Sequence, residues 1–150
     1  MLVALPSFAQ ATPNTLIMAR ATDATGLDPH TQTAFASFRL LELIYEPLVE
    51  LDADLNVVPA LAESWKLSDD GLTLTFNLRH GVKFHDGAEM TSADVIASFT
   101  RLLNPDTKAA AASNYASISK MDAPDDYTVV FTLSQSDVPM LTALTSTNAA

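Results

Sequence analysis

The sequence predicts a mixed α/β fold of the α+β type, in which short β-hairpins alternate with amphipathic helices. Two observations support this prediction. Apolar and polar side chains alternate along residues 72–78, which is the period-two pattern of a half-buried strand. After Thr91, apolar residues instead recur at helical spacing, as on one face of an amphipathic helix. Clusters of turn-forming residues separate these segments.

The composition is that of a folded, acidic protein. Of the 150 residues, 48% are hydrophobic and 17% are charged, so the chain can bury a sizeable core. Its net charge of -10 repels nucleic-acid phosphates, so no nucleic acid is expected as a partner. The sequence contains no cysteine, which excludes disulfides, thiolate metal sites and a lipid-modified N-terminal cysteine.

The first eleven residues resemble the end of a secretory signal peptide. They are uncharged, begin with an apolar stretch and end in Ala-Gln-Ala, an A-x-A cleavage pattern. The basic segment that normally comes first is missing, since the first cationic residue is Arg20. We therefore expect residues 1–11 to be a signal-peptide remnant of an exported protein, with a start upstream of the recorded one. A short apolar N-terminal arm is the alternative.

The first third of the mature chain predicts a strand, a helix and a second strand. An apolar run over residues 15–21 predicts a buried strand, and the turn formers at residues 23–29 predict a loop. Apolar residues at helical spacing predict a helix over residues 32–45, which Pro47 ends. Residues 48–51 predict another strand, followed by an acidic turn and an exposed link.

The strand at residues 72–78 is expected to pair with residues 82–84 as a hairpin. This register places the apolar side chains of both segments on one face of the hairpin. Gly81 then occupies the left-handed position of a three-residue loop, where the absence of a Cβ removes the steric cost.

A helix and a second hairpin follow. Thr91 and Asp94 have the spacing of a capping box, with Asp in place of Glu, and residues 95–103 carry the helical apolar stripe. Residues 118–121 and 127–133 predict two strands joined by a Pro-Asp-Asp turn. The expected arrangement is therefore hairpin, helix, hairpin.

Three further segments complete the prediction. Residues 108–116 have no clear period and predict a loop or a short helix. Trp65, the sole tryptophan, is expected to pack in the core. Residues 139–144 form an apolar patch that no later element covers, so the end of the sequence is expected to be a truncation.

No motif supports catalysis, metal binding or cofactor binding. The sequence has no GxSxG, HExxH or glycine-rich phosphate motif. His30, His80 and His85 are expected to be structural or surface residues, because no carboxylate set with metal-ligand spacing accompanies them. The acidic pairs at residues 69–70 and 125–126 lie in predicted turns, where carboxylates accept backbone hydrogen bonds. We therefore expect no enzyme activity and no cofactor.

Several motifs in residues 45–95 occur together in one order. They are Tyr45-Glu46-Pro47-Leu48, Leu61-Ala62-Glu63-Ser64-Trp65, Ser68-Asp69-Asp70-Gly71-Leu72-Thr73, Phe76-Asn77-Leu78-Arg79, Gly81-Val82-Lys83-Phe84-His85-Asp86-Gly87 and Ala93-Asp94-Val95. This series resembles the signature of the family 5 extracytoplasmic solute-binding proteins, the peptide/nickel-type receptors of ABC importers. A looser similarity, which includes the Leu-Asp-Pro-His sequence at residues 27–30, covers nearly the whole mature chain.

The resemblance implies a type II periplasmic binding protein, whose two lobes close over a solute and then dock on an ABC permease in the inner membrane. By this resemblance, residues 12–47 are the start of ligand-binding lobe I. Residues 48–150 form a small subdomain with a truncated end, and the second lobe is absent. Without a lipid-modified cysteine, the protein is expected to be a free monomer in the periplasm.

The resemblance also nominates solute-contacting residues by their location in the chain. They are Thr31, Thr33, Phe35, Asn114, Tyr115, Thr147 and Asn148. Ordinary polar surface loops are the alternative interpretation of these positions. The expected solute is an oligopeptide or a related small molecule such as a nickel chelate.

Two other functions remain open at this point. The first is an exported hydrolase whose catalytic residues lie in a missing C-terminal part. The second is a partner-binding or chaperone-like module that uses exposed strand edges.

Overall fold

A four-stranded antiparallel sheet with a helix on one face is the centre of the computed structural model, which describes residues 14–16 and 19–150. Nine helices and strands lie in the described residues. In chain order they are α1 (Phe35–Leu41), β1 (Val49–Leu51), β2 (Val57–Pro59), β3 (Ala62–Leu67), β4 (Thr73–Leu78), α2 (Ser92–Leu103), β5 (Ile118–Asp125), β6 (Thr128–Leu133) and α3 (Pro139–Ala143). Single 3-10 turns occur at Pro105–Thr107, Ala112–Tyr115 and Thr147–Ala149.

The large sheet has the strand order β3-β4-β6-β5, and all its neighbours are antiparallel. Strands β1 and β2 form a separate two-stranded hairpin. This hairpin adjoins the large sheet, because the Ala62 amide donates to the carbonyl oxygen of Leu48 at 2.8 Å. The expected mixed α/β class is therefore confirmed.

The core lies between α2 and the middle of the large sheet. Every second residue of β4 and β6 is buried, which confirms the alternation seen in the sequence. Helix α2 adds a buried stripe that includes Phe99, whose ring centroid lies 4.9 Å from that of Phe131. Trp65 is half-buried and packs against this cluster from β3.

The capping box at the start of α2 forms as predicted. The backbone amide of Thr91 donates to the Asp94 carboxylate at 2.8 Å, and α2 ends at Leu103, directly before Asn104 and Pro105. This bond satisfies one of the amides that a helix terminus leaves without an internal partner.

The predicted pairing of residues 72–78 with residues 82–84 is wrong. Strand β4 pairs on one edge with β3 and on the other with β6, so no edge remains for a third segment. Residues 82–90 instead fold on themselves, and Met90 donates to the Val82 carbonyl oxygen at 2.9 Å. Gly81 nevertheless has the predicted left-handed conformation, with φ of +71°.

The overall hairpin, helix, hairpin arrangement is correct, with different strands in the first hairpin. The first hairpin is β3–β4, closed by the turn at residues 68–71, and the second is β5–β6. The second turn lies later than predicted. The carboxylate of Asp125 accepts from the Tyr127 amide at 2.9 Å and so closes it.

Three other segments differ from the sequence prediction. No strand forms at the described positions of residues 15–21, because both sheets are built from later residues. Helix α1 ends at Leu41 and gives way to turns, so the expected helix over residues 32–45 is shorter. The apolar patch at 139–144 is covered in part, since Met140 and Leu144 are buried in the core.

The expected signal-peptide remnant at residues 1–11 lies outside the described residues. Among the helices of the described part, none is long and apolar enough to cross a membrane. The boundary between residues 47 and 48 stays a prediction.

Candidate functional site

Two later parts of the chain, near residue 110 and at residue 148, contact the segment that carries Thr31 and Thr33. The amide of Ala110 donates to the His30 carbonyl oxygen at 2.9 Å and ties the segment before Asn114 to the loop after Asp28. The side-chain amide of Asn148 donates to the carbonyl oxygens of Pro29 and Gln32. Residues 28–33, which we call the N-terminal loop, are therefore held by segments far away in sequence.

An ion pair between Asp28 and Arg101 also holds the N-terminal loop. Two nitrogens of the guanidinium reach the two carboxylate oxygens at 3.0 and 2.5 Å, so the pair is bidentate. The hydrogen bond from Arg101 lowers the pKa of the Asp28 carboxyl below its ordinary value.

His30 is buried beside this ion pair, with 3% of its surface exposed. Its Nδ1 lies 2.7 Å from a guanidinium nitrogen of Arg101, which can only donate, so Nδ1 must be the acceptor. The other ring nitrogen, Nε2, then carries the proton and donates to the Ala150 carbonyl oxygen at 3.2 Å. Burial lowers the pKa of His30, and the positive charge of Arg101 acts in the same direction.

Four nominated residues present their side chains to solvent. Thr31, Thr33 and Asn114 are exposed, and Phe35 at the start of α1 is 69% exposed. The guanidinium of Arg39 lies 4.7 Å from the centre of the Phe35 ring, which is the distance of a cation–π contact.

The other three nominated residues are buried. The ring of Tyr115 packs edge-on against Phe99, and its hydroxyl donates to the Ala143 carbonyl oxygen at 2.7 Å. Both polar atoms of the Asn148 side chain are used within the chain. Thr147 is 8% exposed and lies beside a cleft.

This cleft, with a volume of about 650 Å³, lies between the end of α1 and the C-terminal residues. Phe35 and Thr147 line its wall, together with the carboxylates of Glu42, Glu46 and Glu50. Its volume is in the range of small-molecule sites. Two of the seven nominated residues thus share a cleft, while Thr31, Thr33 and Asn114 lie outside its lining.

Sequence reasoning did not nominate Asp28 or Arg101. The two residues are far apart in the sequence, and neither belongs to a local motif that names the other. The one available indication was that Asp28 and Pro29 precede His30 in the segment that resembles the family pattern. In the part of the chain that the structure describes, no group of three His, Cys, Asp or Glu side chains could hold a metal ion.

Comparison with known proteins decides the family. Residues 56–150 match the family model described as bacterial extracellular solute-binding proteins, family 5 Middle. The chain belongs to this family. The family membership expected from the ordered series of motifs is therefore confirmed.

Similar proteins bind peptides or other small solutes. The chain is 39% identical over 120 residues to the glutathione-binding protein GsiB of Salmonella choleraesuis, a match covering 80% of this chain and 23% of GsiB. Among solved structures, AgaA of A. tumefaciens R10 in complex with agropinic acid has a TM-score of 0.81 and 38% identity. That match covers 85% of this chain and 26% of AgaA.

A third similar protein is OppA of Haemophilus influenzae in complex with the peptide RPPGFSPFR. It has a TM-score of 0.78 and 26% identity, over 85% of this chain and 28% of OppA. These neighbours are type II periplasmic binding proteins, which confirms the predicted fold class. Family 5 homologues are periplasmic binding proteins and not enzymes. The chain spans about a quarter of the length of the relatives it matches.

Proposed function

We propose that this chain is part of the substrate-binding component of an ABC importer, which captures a peptide or a related small solute in the periplasm. The component delivers the solute to a permease in the inner membrane and catalyses no reaction. Residues 12–47 begin the ligand-binding lobe, residues 48–150 form the small subdomain, and a second lobe closes over the solute.

The observation that carries this proposal is the set of contacts that hold the N-terminal loop. Asn148, Ala110 and Arg101, which are distant from the loop in sequence, each form a hydrogen bond with it. A loop fixed in this way can present Thr31 and Thr33 in one defined orientation. Polar groups held in fixed positions are what a binding protein needs for orientation and specificity.

The nominated residues divide into two groups in this proposal. Thr31, Thr33, Phe35, Asn114 and Thr147 contact the solute: the hydroxyl and amide groups bond to peptide polar atoms, and the Phe35 ring covers apolar ones. Tyr115 and Asn148 support these contacts from behind, because their polar atoms are already bonded within the chain. A glutathione-binding relative and a peptide-bound relative support a peptide-like solute.

Calorimetry on the complete protein that contains this chain tests the proposal. The probes are reduced glutathione, a pool of di- and tripeptides and a nonapeptide. Phe35→Ala and Thr33→Ala are compared with Phe84→Ala and Thr100→Ala, which remove similar exposed side chains elsewhere.

We expect the first two variants to weaken binding about tenfold, which is the effect of losing one good contact, and the two controls to bind normally. A wild-type protein that binds none of the probes contradicts the proposed solute class. Normal binding by both Phe35→Ala and Thr33→Ala contradicts the proposed site.

A further inference from the structure

Arg101 reaches three acceptors on one short segment of the N-terminal loop. Its guanidinium donates to both carboxylate oxygens of Asp28 and to Nδ1 of His30, the last at 2.7 Å. The helix that carries Arg101 is fixed in the core, since Phe99 and Leu102 of α2 are each 1% exposed. The guanidinium therefore extends from a rigid element to a loop without regular structure.

We propose that Arg101 is a positioning residue for solute binding. It holds the N-terminal loop in one conformation through Asp28 and His30, and this conformation orients Thr31 and Thr33 toward the solute. This inference rests on the proposed function. It adds a residue that makes no solute contact itself and belongs to the small subdomain, and its partners are Asp28 and His30.

Hydrogen bonds within the loop connect the side chain of Asp28 to the backbone of the residues that follow it. The Asp28 carboxylate that binds Arg101 also accepts the amide of His30 at 3.1 Å. The carbonyl oxygen of Asp28 accepts the amide of Thr31 at 3.3 Å. The orientation of Asp28 is therefore coupled directly to the backbone of the next three residues.

The geometry requires an arginine and not simply a positive charge. A guanidinium is planar and presents several N–H groups at fixed angles, so it can bind a carboxylate with two nitrogens and an imidazole at the same time. A lysine ammonium at the same position keeps the charge, but it cannot reproduce this fork.

The ion pair is too exposed to hold the core together. The side chains of Arg101 and Asp28 are 50% and 37% exposed, so solvent screens the pair and limits its contribution to the stability of the core. Its bidentate geometry fixes the Asp28 carboxylate against Arg101 and so acts on the loop.

The test compares Arg101→Gln, Arg101→Lys and Asp28→Asn in the complete protein, with Lys120→Gln as the matched control. Lys120 forms an exposed ion pair with Asp122 on β5, at 2.7 Å, and makes no contact with the loop. Two quantities are measured: the Kd for reduced glutathione and for a nonapeptide, and the hydrogen exchange of the amides at residues 30–33.

We expect Arg101→Gln to weaken solute binding about tenfold, which is the effect of losing one charge-assisted hydrogen bond. Hydrogen exchange of the loop amides should become faster. The melting temperature should stay close to that of Lys120→Gln. Arg101→Lys should not restore the Kd, and Asp28→Asn should add nothing to Arg101→Gln in the double variant. Rescue by lysine, or unchanged exchange and affinity in Arg101→Gln, overturns the inference. A wild-type protein that binds neither probe contradicts the proposed function, and loop exchange then decides alone whether Arg101 orders the loop.

Discussion

The hydroxyl of Tyr115 donates a hydrogen bond to the carbonyl oxygen of Ala143, at the end of α3. The ring is fully buried, and burial raises the pKa of the hydroxyl. The contact joins two segments that flank the β5–β6 hairpin on either side. Tyr115 is therefore a structural link between the middle and the end of the chain.

Tyr115→Phe should destabilise the protein by about 1 kcal/mol, because it removes the donor for the partly buried carbonyl oxygen of Ala143 and keeps the ring. Tyr115→Ala should cost about 3–5 kcal/mol, since it also leaves a cavity next to Phe99. Urea unfolding measures both values. Equal stabilities for wild type and Tyr115→Phe would show that the hydroxyl bond contributes nothing.

The capping box gives a second prediction. Thr91→Ala should destabilise the protein by about 1 kcal/mol, because it removes the side chain that caps α2. Asp94→Ala removes the carboxylate to which the Thr91 hydroxyl donates at 3.0 Å, so the double variant should cost less than the sum of the two single variants. Asp69→Ala, an exposed carboxylate in the β3–β4 turn, is the control. Strict additivity in thermal unfolding would argue against a shared bond.

The third prediction concerns the backbone at Gly81. A Cβ at this position would meet no atom within 4 Å, so the left-handed φ of +71° is the whole cost of a side chain. Gly81→Ala should lower stability by about 1 kcal/mol, and Gly81→Asn by less, because asparagine tolerates this conformation better. If Ala and Asn prove equally costly, backbone strain is not the cause.

The fourth prediction is a loss of stability in mild acid that depends on His30. Its pKa in the folded protein lies below the ordinary value of 6.5, so the unfolded chain takes up a proton first as the pH falls. This contribution to stability is therefore complete above pH 6.5 and declines as the pH drops below it. Asp28 adds a second decline in stability below pH 3.8, its ordinary pKa, because its pKa is lowered in the folded protein and the unfolded carboxyl is therefore protonated first.

Urea unfolding of wild type and His30→Gln between pH 7.5 and 5 measures the first of these effects. Glutamine offers a neutral donor and acceptor, so the variant should show a shallower decline over this interval. His85→Gln, which replaces an exposed histidine, is the control. A His30→Gln profile parallel to that of wild type would mean that another group causes the acid sensitivity.

Local patterns predicted the parts of the fold that depend on local interactions. The capping box and the alternating strands each follow from residues within a few positions of one another. Gly81 has the predicted left-handed conformation, although the hairpin from which it was predicted does not form. The partner of β4 could not be found from local patterns. Residues 82–84 match the apolar pattern of β4 as well as β3 does. In the structure, β3 pairs with one edge of β4 and β6 with the other, and the pairing with β6 joins segments that are far apart in sequence.

The candidate site residues stay a prediction. The resemblance nominated them by location, and the structure adds that Ala110 and Asn148 contact residues 29 and 30. The resemblance did not tell which side chains are exposed, because burial depends on packing between distant residues. Tyr115 and Thr31 were nominated on equal grounds, and one is buried while the other is exposed.

The strand order of the large sheet has a consequence for the folding kinetics. The hairpins β3–β4 and β5–β6 each join neighbours in sequence, so they close short loops and can form early. Pairing of β4 with β6 must instead bring together residues separated by the whole of α2. We expect this step to limit the folding rate, because it pays the largest loop-closure entropy, with α2 packing onto the sheet as the two hairpins join.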